Sequence, residues 1–179
     1  MNRILILHGW EGSDYPHWQS HLAMEIAKNY GCVCLPKIED MYNPIKSEWM
    51  KKTKEILDSF NPNIVVCHSL ANTLWFWLCN EDIKRVKKLF LVAPPSLNTK
   101  EEALKSFFPC KLPSDIKAKE VELIVSDNDK WISVDEAQEI AKNLNAQFTI
   151  IKNGGHINSD SGFGKWEYIE NRIINNTNF

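Results

Sequence analysis

Short apolar runs alternate along the chain with stretches of helical period. Arg3 to Leu7, Cys32 to Leu35, Asn63 to Cys67, Lys88 to Ala93, Glu120 to Val125 and Ala146 to Ile151 read as strands. Between them, Pro16 suits a first helical position, and Trp18, Leu22, Ile26 and Tyr30 follow at steps of one turn. Asn43-Pro44 reads as a cap and first-turn proline, with Trp49, Thr53, Ile56 or Leu57, and Phe60 on one face until Asn61-Pro62 stops the helix. Ser133-Val134-Asp135-Glu136 is a capping box ahead of Ala137, Ile140 and Leu144. Trp166, Ile169 and Ile173 mark a last helix. Regular alternation of this kind implies an α/β protein whose mostly parallel sheet is covered on both faces. The segment Leu70 to Leu78 is apolar nearly all round, as a central helix must be. Pro94 to Lys119 breaks the pattern with four prolines and Phe107-Phe108, and long excursions from sheet strands often shape binding sites. No repeat, low-complexity tract or linker interrupts the alternation, so residues 1–179 are expected to form one domain.

Composition narrows the function classes. Hydrophobic residues are 44% of 179, enough for a full core. A formal net charge of -2 gives no basic face for nucleic acid. No apolar run reaches the roughly 18 residues of a membrane span, and the N-terminal apolar stretch is too short for a signal peptide. The five cysteines are odd in number, contain no C-x-x-C pair and sit mostly in apolar runs. That usage disfavours a disulfide framework or zinc cluster and fits a reducing cytoplasm.

Candidate chemistry is concentrated after three strands. Ile64-Val65-Val66 runs into Cys67-His68-Ser69-Leu70-Ala71 and then the apolar helix. A serine at a strand-to-helix turn, with small residues two before and two after, matches the nucleophile elbow G-x-S-x-G, with Cys67 and Ala71 replacing the glycines. A serine hydroxyl needs a base to take its proton and a carboxylate to orient that base. The strand ending at Val125 leads into Ser126-Asp127-Asn128-Asp129, where Asp129 is the first candidate acid and Asp127 the second. The next strand leads into Gly154-Gly155-His156, 27 residues after Asp129. An oxyanion would need backbone donors, for which the N–H of Leu70 and, from the loop after the first strand, that of Trp10 are the candidates.

Taken together, ILILHGWEGS, PHWQSHL, VVCHSLA, LVAPP, SDNDKWIS and GGHINSDSGFGKW resemble the small serine hydrolases of the YdeN and retinoblastoma-binding-protein type over nearly the whole chain. The resemblance implies a compact capless α/β-hydrolase, six parallel strands in the order 2-1-3-4-5-6, with Ser69 as nucleophile, Asp129 as acid and His156 as base. Ala71 where glycine is usual and Lys130 where proline is common depart from the pattern without removing a catalytic atom.

Other residues have plainer readings. Ser69 alone could be an ordinary helix cap. His68 should pack inside and His8 should end the first strand. His17 and His21 share a helical spacing that a metal could use, but lack a third ligand, so cap or surface packing is favoured. Asp160 and Ser161 should hold the histidine loop. Of seven tryptophans, only Trp10, Trp131 and Trp166 follow the loops that carry the candidate site. Trp10, Phe107, Phe108 and Trp131 are the candidate substrate contacts. The expected function is cleavage of a small carboxylic ester or related acyl bond, with a small-molecule acyl substrate, no metal or organic cofactor, and no nucleic acid or membrane. The rival is a hydrolase-fold protein that binds a protein partner with little turnover.

Overall fold

The computed structural model describes residues 2–28 and 31–174. Six parallel strands form one sheet: β1 (Arg3–Leu7), β2 (Cys32–Cys34), β3 (Ile64–His68), β4 (Val86–Val92), β5 (Ala118–Ser126) and β6 (Gln147–Ile151), in the order β2-β1-β3-β4-β5-β6. Among the described residues five α-helices accompany them, four between strands and one after the last: α1 (Trp18–Lys28), α2 (Lys46–Phe60), α3 (Leu70–Leu78), α4 (Val134–Asn143) and α5 (Glu167–Ile174).

Side chains alternate across the strands and divide the core in two. Leu5, Leu7, Val65, Cys67, Leu89, Leu91, Leu123 and Val125 face α2, α3 and α4, where Trp49, Leu57, Leu74, Trp75 and Ile140 meet them. Ile4, Ile6, Ile64, Val66, Phe90, Val92 and Ile124 face α1 and α5, against Trp18, Leu22, Ile26, Ile169 and Ile173. Every residue of β3 is buried, as both faces of a central parallel strand are covered. The edge strands β2 and β6 are short and partly exposed. Tyr30, the last of the α1 row, lies outside the described residues.

Local signals placed two helix starts too early. The Tyr15–Pro16 peptide is cis, and α1 begins at Trp18 with His17 as its cap. His17 Nδ1 accepts the Gln19 N–H at 3.2 Å. Asn43-Pro44 likewise precedes the helix; α2 begins at Lys46. Ser133 does cap α4, accepting the Glu136 N–H. Glu136 does not close the capping box. Its carboxylate turns instead to the loop after β4, accepting from Ser96 Oγ at 2.8 Å and Leu97 N at 3.0 Å. The excursion from 93 to 117 is tied down this way, and carries one turn of 3₁₀ helix at Glu102–Leu104 and no α-helix.

One charged residue enters the core. Glu122 on β5 is 1% exposed, on the α5 side of the sheet. Arg172 donates to its Oε2 from Nε at 3.1 Å and Nη2 at 2.6 Å, and Tyr168 donates to its Oε1 at 3.0 Å. A buried carboxylate is tolerated only when paired and hydrogen-bonded. Arg172→Met should therefore lower stability by about 2–3 kcal/mol, the lower end for a buried pair because the arginine is partly exposed. Urea denaturation measures it, and a change below about 0.5 kcal/mol, the scale of an ordinary surface substitution, would contradict a structural role for the pair.

Candidate active site

Ser69 sits between β3 and α3 with φ 53° and ψ -123°, a left-handed conformation that a side-chain-bearing residue adopts only when its surroundings impose it. The imposing contacts are visible. Ser69 N–H donates to Val92 O at 3.0 Å. The Asn72 amide donates to both Ser69 O at 2.8 Å and Val92 O at 2.9 Å, tying the elbow to β4. On the other side Gly9 presses against the serine. A Cβ there would lie 2.7 Å from Ser69 Cβ and 3.1 Å from His68 O, so no larger residue fits without displacing the elbow.

The loops after β5 and β6 are laced to each other. Asp127 Oδ1 accepts the Asn153 N–H at 2.6 Å, Ser126 Oγ accepts the Gly154 N–H at 2.8 Å, and Asn128 Oδ1 accepts the Gly155 N–H at 2.7 Å. Asp127 is thereby committed to backbone, and Asp129 faces His156. Asp129 Oδ1 accepts the Trp131 N–H at 2.9 Å, and its Oδ2 lies 2.8 Å from His156 Nδ1. His156 Nε2 lies 2.8 Å from Ser69 Oγ. The Asp129 side chain is wholly buried and that of His156 is 11% exposed. Ser161 Oγ accepts the His156 N–H, and Asn158 in turn accepts from that hydroxyl. Asp160 is exposed and takes no part in this pinning.

The chain thus brings Ser69, His156 and Asp129 into one hydrogen-bonded row. A carboxylate can only accept, so Nδ1 carries the ring proton and Nε2 of the neutral ring is free to accept from the serine hydroxyl. Among the described residues, neither the Trp10 N–H nor the Leu70 N–H has a hydrogen-bond partner. Cys67 offers no competing nucleophile: it is fully buried, and burial pushes its thiol well above the usual range.

A cavity of about 640 Å³ opens over this row. Trp10 and Trp131 line it, with ring centroids 6.4 Å apart edge to face. Phe107 and Phe108 do not. Phe107 is wholly buried against Trp49 at 5.8 Å, and Phe108 packs on the same core. From that excursion, Pro95 and Leu104 reach the cavity instead. Trp166 packs on Trp18 and Phe163, away from it. The wall also includes Ser13, Asp14, His17 and Asn158, which the local sequence did not single out as contacts.

Three further histidines are buried. His8 accepts the Ile38 N–H at Nε2 and donates from Nδ1 to Gly9 O, holding the first loop to the segment after β2. His68 donates from Nε2 to His156 O at 3.1 Å. Its ring lies between those of His17, at 4.9 Å, and His156, at 5.3 Å. Burial lowers the pKa of all three: His8 below the usual value, His17 to about 4, and His68 well below it. His17 and His21 part company, His21 packing on Tyr15. Among the described residues no three His, Cys, Asp or Glu side chains converge as metal ligands, and no helix is long and apolar enough to cross a membrane.

The family model of serine hydrolases matches residues 4–175. The chain belongs to that family. Among solved structures, this serine hydrolase is similar to the ydeN gene product of B. subtilis, with a TM-score of 0.84 at 17% identity, covering 98% of each chain. It is similar to a putative yden-like hydrolase from Pectobacterium atrosepticum, with a TM-score of 0.78 at 22% identity, covering 98% of this chain and 90% of that one. An esterase domain from a Rhodothermus marinus protein superposes with a TM-score of 0.67 at 9% identity, over 96% and 84%. At these identities the likeness is one of fold, that of the α/β-hydrolases. No match was found among curated protein sequences.

Two outcomes follow for this serine hydrolase. Gly9→Ala should leave far-UV circular dichroism intact while displacing the Ser69 elbow, lowering the rate of labelling by a fluorophosphonate at least about 100-fold, the scale of a small misplacement of reacting groups. An unchanged rate would show that the loop yields instead. The buried histidines also make stability pH-dependent. Above pH 6.5 they are neutral in folded and unfolded chains alike. Below it the unfolded chain takes up protons that the folded one refuses, so stability falls as pH drops. For His17 the loss is complete near pH 4 and amounts to about 3 kcal/mol. Urea midpoints from pH 7 to pH 4 should fall more steeply for the wild type than for His17→Asn; parallel curves would refute this origin.

Proposed function

We propose that this serine hydrolase cleaves small carboxylic esters through an acyl-enzyme on Ser69. The observation that carries the reading is the row in which Ser69 Oγ and Asp129 Oδ2 each lie 2.8 Å from a ring nitrogen of His156. Ser69 Oγ attacks the acyl carbonyl carbon as its proton passes to His156 Nε2. Asp129, wholly buried, offsets the positive charge that then develops on the imidazole and holds its tautomer. The carbonyl oxygen becomes an oxyanion, for which the free N–H groups of Trp10 and Leu70 are the proposed donors. The Leu70 N–H opens α3, whose N-terminal end favours negative charge. As the tetrahedral centre collapses, His156 returns the proton to the departing alkoxide. Water then attacks the acyl-enzyme with His156 as base, releasing the acid and restoring Ser69.

The preference for small acyl groups rests on the shape of the cavity. Trp10, Leu70, Pro95, Leu104 and Trp131 supply a limited apolar surface, and the excursion after β4 is held down by Glu136 rather than raised over the site. Phe107 is spent on the core and adds nothing to that surface.

Treatment with a fluorophosphonate should label the wild type and leave Ser69→Ala unlabelled. On p-nitrophenyl acetate, His156→Ala and Asp129→Asn should each lower kcat by about 10⁴. Persistent labelling of Ser69→Ala, or full turnover by His156→Ala, would overturn the assignment. A wild type that neither labels nor turns over any short ester, while pulling down one stoichiometric protein, would favour a binding role instead.

A further inference from the structure

The lining of the cavity over Ser69 includes an apolar set and a polar one, with the charged Glu11 and Lys130 next in sequence to its two tryptophans. Trp10, Leu70, Pro95, Leu104 and Trp131 are apolar. Ser13, Asp14 and His17 from the β1–α1 loop, with Asn158 and Ser161 from the β6–α5 loop, are polar. These two loops are fastened together: Trp18 donates from its indole to Ile157 O at 2.8 Å and from its backbone to Phe163 O at 3.1 Å. The polar set adjoins His156, which opens the second loop and whose ring is linked to that of His17 through His68. A departing alkoxide takes its proton from His156 Nε2 and so leaves beside that ring, which adjoins both the β6–α5 loop and the Trp131 ring, at 6.0 Å.

His17 makes the polar side selective. Its residue is 5% exposed. The Gln19 N–H occupies its Nδ1, so the proton of the neutral ring sits on Nε2. That Nε2 is buried and has no partner among the described residues. An unmatched buried donor is destabilising and rarely left so without a reason. Asp14, three residues before it, lines the same cavity and offers a carboxylate acceptor.

We propose that this side of the cavity is a leaving-group subsite for polyhydroxylated alcohols, with His17 donating its Nε2–H to an oxygen of the leaving alcohol. The proposal rests on the acyl-transfer reading of Ser69. A hydroxyl suits both parts of the subsite: its oxygen accepts from His17, and its proton is donated to Asp14 or to Ser161 Oγ. An ammonium group has no acceptor for His17, and a plain alkyl group satisfies neither. The substrate class is thus a short acyl ester of a glycerol-like polyol. Ser69 Oγ takes the acyl group, the ester C–O bond breaks, and the polyol leaves with the serine proton delivered by His156. Water then releases the short carboxylic acid.

The test compares kcat/KM on 1-acetylglycerol and propyl acetate, which share the acyl group, in the wild type, His17→Phe and His17→Asn. The wild type should favour the glycerol ester by about tenfold, the discrimination expected of one hydrogen bond. Both variants should lose more on the glycerol ester than on propyl acetate, by about that factor. Asparagine keeps a cap acceptor for the Gln19 N–H but is too short to reproduce the contact, which separates lost recognition from a frayed helix. Equal losses on both esters in the two variants would reduce His17 to a structural cap and overturn the proposal. So would a wild type that labels with fluorophosphonate yet shows no preference, whatever the variants do. Failure of the wild type to label at all would instead overturn the acyl-transfer reading beneath it.

Discussion

The left-handed backbone of Ser69 is the constraint on which the rest of the site depends. A serine at φ 53° does not rest there by preference. It is held because β3 and β4 run side by side, letting Val92 O receive the Ser69 N–H while the Asn72 amide bridges Ser69 O and Val92 O. The conformation lifts the hydroxyl off the end of the sheet and starts α3 immediately after it. It also demands a glycine opposite, because Gly9 approaches the serine more closely than any Cβ permits. Strand pairing, helix start and loop composition are therefore one requirement met three times.

A second fastening works at right angles to chain direction. Ser126, Asp127 and Asn128 receive three consecutive backbone donors, Gly154, Asn153 and Gly155. Because β5 and β6 are neighbours, their following loops leave the sheet together and can be stitched side by side. The stitching sets how far His156 stands from Asp129, and so the placement of both relative to Ser69. A pairing of buried charge with ring nitrogen depends steeply on distance, which is why polar residues that do no chemistry themselves crowd this corner.

Much of this was legible in the sequence, for reasons that also explain what was not. Buried parallel strands such as β3 and β5 are continuous apolar runs, and the sheet order follows from the fold that SDNDKWIS and GGHINSDSGFGKW resemble. Ser69 follows β3 directly, while Asp129 and His156 stand in the loops just after β5 and β6, so local pattern picks out Ser69 and His156 and narrows the acid to Asp129 or Asp127. Long-range pairing leaves no such trace. Nothing local marks Glu122 as buried; Tyr168 and Arg172, 46 and 50 residues later, make its burial possible. Glu136 satisfies the capping-box pattern by residue type, yet the loop at Ser96 competes for its carboxylate and wins. Phe107 and Phe108 read as a pocket wall because they stand in a long excursion. Large aromatic side chains bury the most surface, however, and Phe107 goes to the core while the smaller Leu104 meets the cavity. Proline misplaced both helix starts because it is equally at home in the turns just before them.

The division of labour among the loops has a consequence for how selectivity and stability are coupled. Ser69, Asp129 and His156 hang from β3, β5 and β6, the middle and one side of the sheet, in loops fixed by backbone hydrogen bonds. The polar side of the cavity hangs instead from the cap of α1 and from the loop ahead of α5, two helices that share the opposite core with Trp18, Ile169 and Ile173. Trp18 belongs to both arrangements: it fills that core and its indole fixes Ile157 O, next to His156. Ile157 itself is β-branched at φ 49°, a conformation that must be paid for by such contacts. A residue whose side chain only lines the cavity, such as Asp14, can therefore vary without disturbing the row at Ser69, whereas Asn158 holds the Ser161 hydroxyl that receives the His156 N–H. A change at Trp18 or Ile157 cannot, because it would move the histidine and loosen the packing of α1 on α5 at once.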